Sequence, residues 1–149
     1  MSDAAGSNGA VTADNGPAPD SGDPAIDPEL VDLATAVFAL ARSGAADQLA
    51  AYLDAGVPVN LTNERGDTLL MLAAYHGHRD AVGVLLARGA DPDRANDRGQ
   101  TPLAGVVFKG ETEIVRDLLA AGADPDAGTP SAREAATMFG KTELLELFG

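Results

Sequence analysis

The sequence predicts an all-α, one-domain stack of helix-turn-helix units, and three observations predict it. Glycines recur with one period: Gly66 and Gly99 lie 33 residues apart, as do Gly56, Gly89 and Gly122, and Gly44, Gly77 and Gly110, with Gly140 following after 30. Apolar positions return on the same period. Leu70, Ala73 and Ala74 come back as Leu103, Val106 and Val107, and Val82, Leu85 and Leu86 as Val115, Leu118 and Leu119. Within each set the spacing is i, i+3, i+4, one face of a helix. Composition agrees: 45% of residues are apolar, mostly Ala, Leu and Val, while aromatics make up 4% and Trp is missing. Small and medium side chains suit close-packed short helices. A period of this length means stacked supersecondary units, each burying a face against the next.

Along the chain, Met1 to Asp27 comes first. It holds Asp3, Asp14, Asp20, Asp23 and Asp27, no Lys or Arg, and only Val11 and Ile26 as large aliphatics. Such a stretch buries too little surface to offset chain entropy, so residues 1–27 are expected to be a disordered acidic tail. Without basic residues or an apolar run it reads as neither a secretory signal nor a transit peptide. The helical domain is expected over 28–149, in units of about 28–62, 63–95, 96–128 and 129–149. In the first unit Asp27 is expected to cap, and Pro28 to open, a long helix with Leu30, Leu33, Ala34, Val37 and Ala41 on one face. Leu49, Tyr52 and Leu53 mark its second helix.

The two middle units show the local grammar best. Thr68 and Thr101 stand where an N-cap belongs, and Pro102 occupies the first helical position behind Thr101. The first helix ends at Gly77 or Gly110, glycines able to adopt the left-handed conformation. The second runs to Gly89 or Gly122. An Asp-Pro loop follows, then a tight turn at Asn63-Glu64-Arg65-Gly66 or Asn96-Asp97-Arg98-Gly99, built from turn-forming residues. In the last unit Ser131-Ala132-Arg133-Glu134 reads as a capping box, and Leu144, Leu145, Leu147 and Phe148 as the final apolar face. Outer units meet water on one side, so they are expected to be atypical.

These residues resemble the ankyrin repeat, a unit of a β-turn and two helices with a Thr-Pro-Leu-His-x-Ala signature. Thr101-Pro102-Leu103-Ala104 keeps three of those letters and Thr68-Leu69-Leu70-Met71 keeps two; the signature His is absent from both. Tyr75-His76-Gly77-His78, Leu85-Leu86-Ala87-Arg88-Gly89-Ala90-Asp91 and Leu118-Leu119-Ala120-Ala121-Gly122-Ala123-Asp124 match the later part of the pattern. The resemblance covers roughly Pro28 to Phe148. It implies an ankyrin-repeat solenoid with short β-turn fingers, working by protein binding.

Charge and motifs exclude several function classes. The net charge of −13 opposes nucleic acid, whose binding depends on Lys and Arg neutralising phosphates, and opposes anionic membranes. A partner with a basic face is favoured by that charge, or the charge serves solubility alone. No apolar run is long enough to span a bilayer. The absence of cysteine removes disulfides and thiolate chemistry and fits a reducing cytoplasm. His76 and His78 flank Gly77 without the i, i+4 spacing of a helical metal pair, and no third soft ligand exists. Asp91, Asp93 and Asp97, like Asp124 and Asp126, lack the glycine and closing Glu of a calcium loop. No nucleophile elbow, dinucleotide fingerprint or phosphate loop is present. A non-catalytic, cofactor-free and metal-free monomer is expected; the competing class is an enzyme or metal-dependent regulator.

The positive signal is a binding face. The two residues before each inter-helix glycine lie, by the resemblance, on the concave face. They are Arg42 and Ser43, Tyr75 and His76, Phe108 and Lys109, then Met138 and Phe139. One column thus reads Arg42, Tyr75, Phe108, Met138, large and mostly apolar where small polar residues would ordinarily stand. Aromatics, Met and Arg are the types enriched in interface cores. The plainer alternative is that these side chains only cover the short helices. Arg65 and Arg98 on the turn tips are suited to forked bonds with carboxylates, or else to pairing with Glu64, Asp67 or Asp97 on a wet surface. By the resemblance, binding would scaffold, inhibit or stabilise a partner.

Overall fold

A computed structural model describes residues 28–149, so the expectations for the tail and for Asp27 as a cap lie outside the described residues. Eight helices run through the described part. They are α1 (Pro28–Ser43), α2 (Ala46–Asp54), α3 (Leu69–Tyr75), α4 (Arg79–Ala87), α5 (Pro102–Lys109), α6 (Thr112–Ala120), α7 (Ala132–Met138) and α8 (Thr142–Phe148). Packing divides the chain inside α1, after Ala36. N-terminal to that point, Thr35 donates its hydroxyl to the Val31 carbonyl at 2.9 Å.

From Val37 onward the helices form two rows. The inner row places α5 against both α3 and α7. The outer row runs α2, α4, α6, α8, each touching the next, and α3–α4, α5–α6 and α7–α8 are hairpins across the rows. The core lies between them: Leu70, Val82, Leu85, Leu103, Val106, Val107, Val115 and Leu118 are all fully buried. On α1, Val37 and Ala41 are buried as read, with Phe38 beside them; the side chain of Leu30 lies outside the described residues. Of the residues that mark α2, Leu49 and Leu53 are buried and Tyr52 is exposed. In α8 only Leu144 is fully buried; Leu145, Leu147 and Phe148 are half-buried.

The local signals act as expected. Thr68 and Thr101 cap α3 and α5 by accepting hydrogen bonds from the Met71 and Ala104 backbone amides at 3.0 and 3.2 Å. Ser131 and Glu134 form a reciprocal capping box on α7. Gly77 and Gly110 take φ of +78° and +76°, the left-handed turn that lets each hairpin reverse.

The outer helices begin differently. Their N-cap residues are Ala45, His78, Glu111 and Lys141, and none makes a side-chain cap hydrogen bond. The last three instead reach back to the inter-helix glycine of the preceding unit. A methyl placed on Gly44 would lie 2.5 Å from the His78 ring, and one on Gly77 would lie 2.9 Å from Glu111 Oε2. One on Gly110 would lie 3.9 Å from Lys141 Nζ. His78 Nε2 also donates to the Arg42 carbonyl at 2.7 Å, which fixes the proton on that nitrogen.

The fingers are stitched to one another. Asn63 Oδ1 accepts from the Arg65 and Asp67 amides, and Asn96 Oδ1 from the Arg98 and Gln100 amides, closing each turn on itself. Between fingers, the Asp97 amide donates to the Arg65 carbonyl at 3.0 Å and Asn96 Nδ2 to Asp67 Oδ1 at 2.8 Å. Backbone amides are thus satisfied without a continuous strand. The Asp-Pro loops are linked likewise: Asp91 N donates to Asn60 Oδ1, and Asp124 N to Asp93 Oδ1.

Candidate protein-binding face

The C-terminal ends of α1, α3, α5 and α7 bring most of the sequence-selected residues to one ridge. Short helices end there, so their last side chains have no further turn to pack against. Tyr75, Phe108, Met138 and Phe139 are 39%, 60%, 70% and 46% exposed. For residues of this size such exposure is the informative departure from ordinary burial.

Contacts along the ridge are diagonal. Lys109 Nζ sits 4.9 Å from the centre of the Tyr75 ring, a cation–π arrangement. Phe108 meets Phe139 edge to face at 5.4 Å. In both cases the first residue of the pre-glycine pair in one unit touches the second residue of the pair in the next. The column Arg42, Tyr75, Phe108, Met138 therefore does not interlock by direct stacking; its members are bridged by His76, Lys109 and Phe139. Beside it, a methyl on Gly105 would meet Tyr75 Cδ1 at 3.6 Å and the Met71 sulfur at 3.7 Å, ordinary contact distances.

A second feature is the grouping of charge: the cations stand toward the α1–α3 end of the ridge. His76 packs edge-on against Tyr75 at 5.7 Å and over His78 at 6.4 Å. Partial desolvation, with His78, Lys109 and Arg42 nearby, holds the His76 imidazole below its ordinary range. Only the net charge was available from composition, and it carries the opposite sign. The sequence signal is positional: Arg42 and Lys109 occupy pre-glycine positions and no acid does.

Arg65 and Arg98 stand apart. Both are exposed on the fingers, and among the described residues neither forms an ion pair or touches the ridge aromatics. The pairing considered for them with Glu64, Asp67 or Asp97 is not formed among the described residues; the Asp67 carboxylate accepts from the Asn63 and Asn96 side chains instead. The ion pairs among the described residues lie elsewhere: Arg88–Asp54 at 2.9 Å, Arg79 with Asp117 at 2.7 Å and Glu113 at 3.8 Å, and Arg133–Asp126 at 2.8 Å. Among the described residues no three His, Cys, Asp or Glu side chains, His76 and His78 included, cluster as metal ligands. No described helix is long and apolar enough to cross a membrane.

Capped helix pairs in two rows, reversing at left-handed glycines and joined by stitched fingers, define a helical repeat protein. A family model described as ankyrin repeats (3 copies) matches residues 36–129, and the chain belongs to the ankyrin-repeat family. It is also similar to a Pseudomonas aeruginosa protein named "Putative ankyrin repeat protein PA3287", at 48% identity over 59 residues. That match covers 40% of this chain and 34% of the relative, so the chain spans about a third of that protein's length. Ankyrin repeats generally mediate protein–protein interaction and are typically non-catalytic.

Proposed function

We propose that this protein is a non-catalytic binding module that takes a segment of another protein along the ridge. Arg42, Tyr75, His76, Phe108, Lys109, Met138 and Phe139 make the contacts, with Arg65 and Arg98 flanking them on the fingers. One observation supports this reading above others. Of the five exposed large hydrophobic residues among those described, four stand on this ridge: Tyr75, Phe108, Met138 and Phe139. Residues 28–149 form the binding domain, which acts as a cytoplasmic monomer without metal or cofactor; by holding a partner it inhibits, stabilises or scaffolds it.

The test is affinity capture from native lysate with the full chain, repeated with Tyr75→Ala/Phe108→Ala. The double variant is expected to lose the captured partner while its melting temperature stays near the parent's. Retained capture by a variant that melts far lower would make these rings structural and end the proposal.

A further inference from the structure

The ridge is apolar at one end and cationic at the other, in a protein of net charge −13. Phe108, Phe139 and Met138 make the apolar end. At the other, Lys109 lies over Tyr75, Tyr75 against His76, and His76 over His78, whose Nε2 holds the Arg42 backbone. No described residue forms an ion pair with Arg42 or Lys109. Asp47, Asp80, Glu113 and Glu143 occupy the first turns of α2, α4, α6 and α8, where they complement the helix dipoles. Exposed cations and exposed rings thus share one ridge, and no acid stands at its pre-glycine positions.

We infer that the partner segment is an apolar peptide carrying a carboxylate, which sits over the exposed Arg42 and Lys109 while a neighbouring Leu or Phe packs on the Phe108–Phe139 pair. This deepens the binding reading above and rests on it. A charge-assisted bond to a guanidinium or ammonium group suits a carboxylate. Screening over about 8 Å at physiological ionic strength confines the choice to immediate neighbours, so the local sign, not the net charge, selects the charged residue.

The experiment measures fluorescence anisotropy with the full chain and two labelled peptide pools. One pool has a central Glu flanked by Leu or Phe in a Gly/Ser/Asn background; the other has Lys at the same position. The Glu pool is expected to bind at least about tenfold more tightly, and Arg42→Glu/Lys109→Glu is expected to remove or reverse that preference. Should the reversed variant fold poorly, Arg42→Gln/Lys109→Gln is expected to abolish the preference without reversing it. A parent preference for the Lys pool, a preference unchanged in the charge variants, or no binding of the Glu pool overturns the inference. So does displacement of the peptide by a single-stranded oligonucleotide. If lysate capture still fails with Tyr75→Ala/Phe108→Ala, the ridge survives as the docking face and only the partner chemistry falls. If capture persists there, both fall.

Discussion

Between residues 63–95 and 96–128, the buried positions exchange volume while the exposed positions exchange chemistry. On α3 the run is Met71-Leu72-Ala73-Ala74; at the same places α5 carries Ala104-Gly105-Val106-Val107. All are buried except half-buried Gly105. Bulk has moved two positions along the helix, and the Met71 sulfur lies within ordinary contact distance of a methyl placed on Gly105. Packing fixes the sum of volumes more tightly than the identity at any one site. On the ridge no such balance operates: Tyr75 faces the role of Phe108, His76 that of Lys109, and His78 that of Glu111. Where side chains meet water, the same backbone accepts a neutral ring, a cation or an acid.

The largest expected effect tests the buried half of that comparison. Leu85→Ala and Leu118→Ala remove equivalent, fully buried side chains, and each is expected to cost about 2–5 kcal/mol by urea denaturation. Near-equal losses would sustain the equivalence of the two units; a large loss at one and none at the other would break it.

A sharper comparison uses the finger glycines. Gly66 and Gly99 share φ of +78°, but a methyl on Gly66 would lie 2.9 Å from the Asp97 amide nitrogen, whereas nothing lies closer than 3.8 Å at Gly99. Both alanine variants carry a left-handed penalty of about 1–2 kcal/mol. Only Gly66→Ala must also displace the backbone of the next finger. Its midpoint of denaturation should therefore fall further than that of Gly99→Ala, and equal shifts would show the stitching to be slack.

The smallest effect belongs to the ridge. His76 has a depressed value in the fold, through partial burial and neighbouring positive charge, so the unfolded chain takes up this proton first as pH falls. Above the ordinary histidine range the group is neutral in both states and contributes nothing. Descending through that range and then through the lower folded value, stability is lost. His76→Gln should flatten the fall in melting temperature between neutral and mildly acidic pH, leaving the neutral value nearly unchanged. A profile identical to the parent's would mean the ring feels no such field.

Much of this was legible because it is local or periodic. Thr68, Thr101, Ser131 and the glycines act within a few residues of themselves, and Leu85 and Leu118 announce their burial by spacing alone. The ridge residues were also found by register, since the pre-glycine positions repeat. Three things could not be read. The diagonal pairing of Tyr75 with Lys109 and of Phe108 with Phe139 depends on the lateral offset between adjacent helices. The exposure of Tyr52 beside buried Leu49 and Leu53 depends on how α2 is turned in the stack. The local sign of charge on the ridge depends on which charges fold beside one another, and a sum over the chain erases that.

The side chains that rest on the inter-helix glycines tie distant positions into pairs: 44 with 78, 77 with 111, 110 with 141. The tie is tightest at the first pair, where a methyl on Gly44 would meet the His78 ring at 2.5 Å, while at 77 the flexible end of Glu111 can swing away. Substitutions at 44 and 78 are therefore not independent: a shorter residue at 78 removes that clash, and the strain of the positive φ at 44 stays.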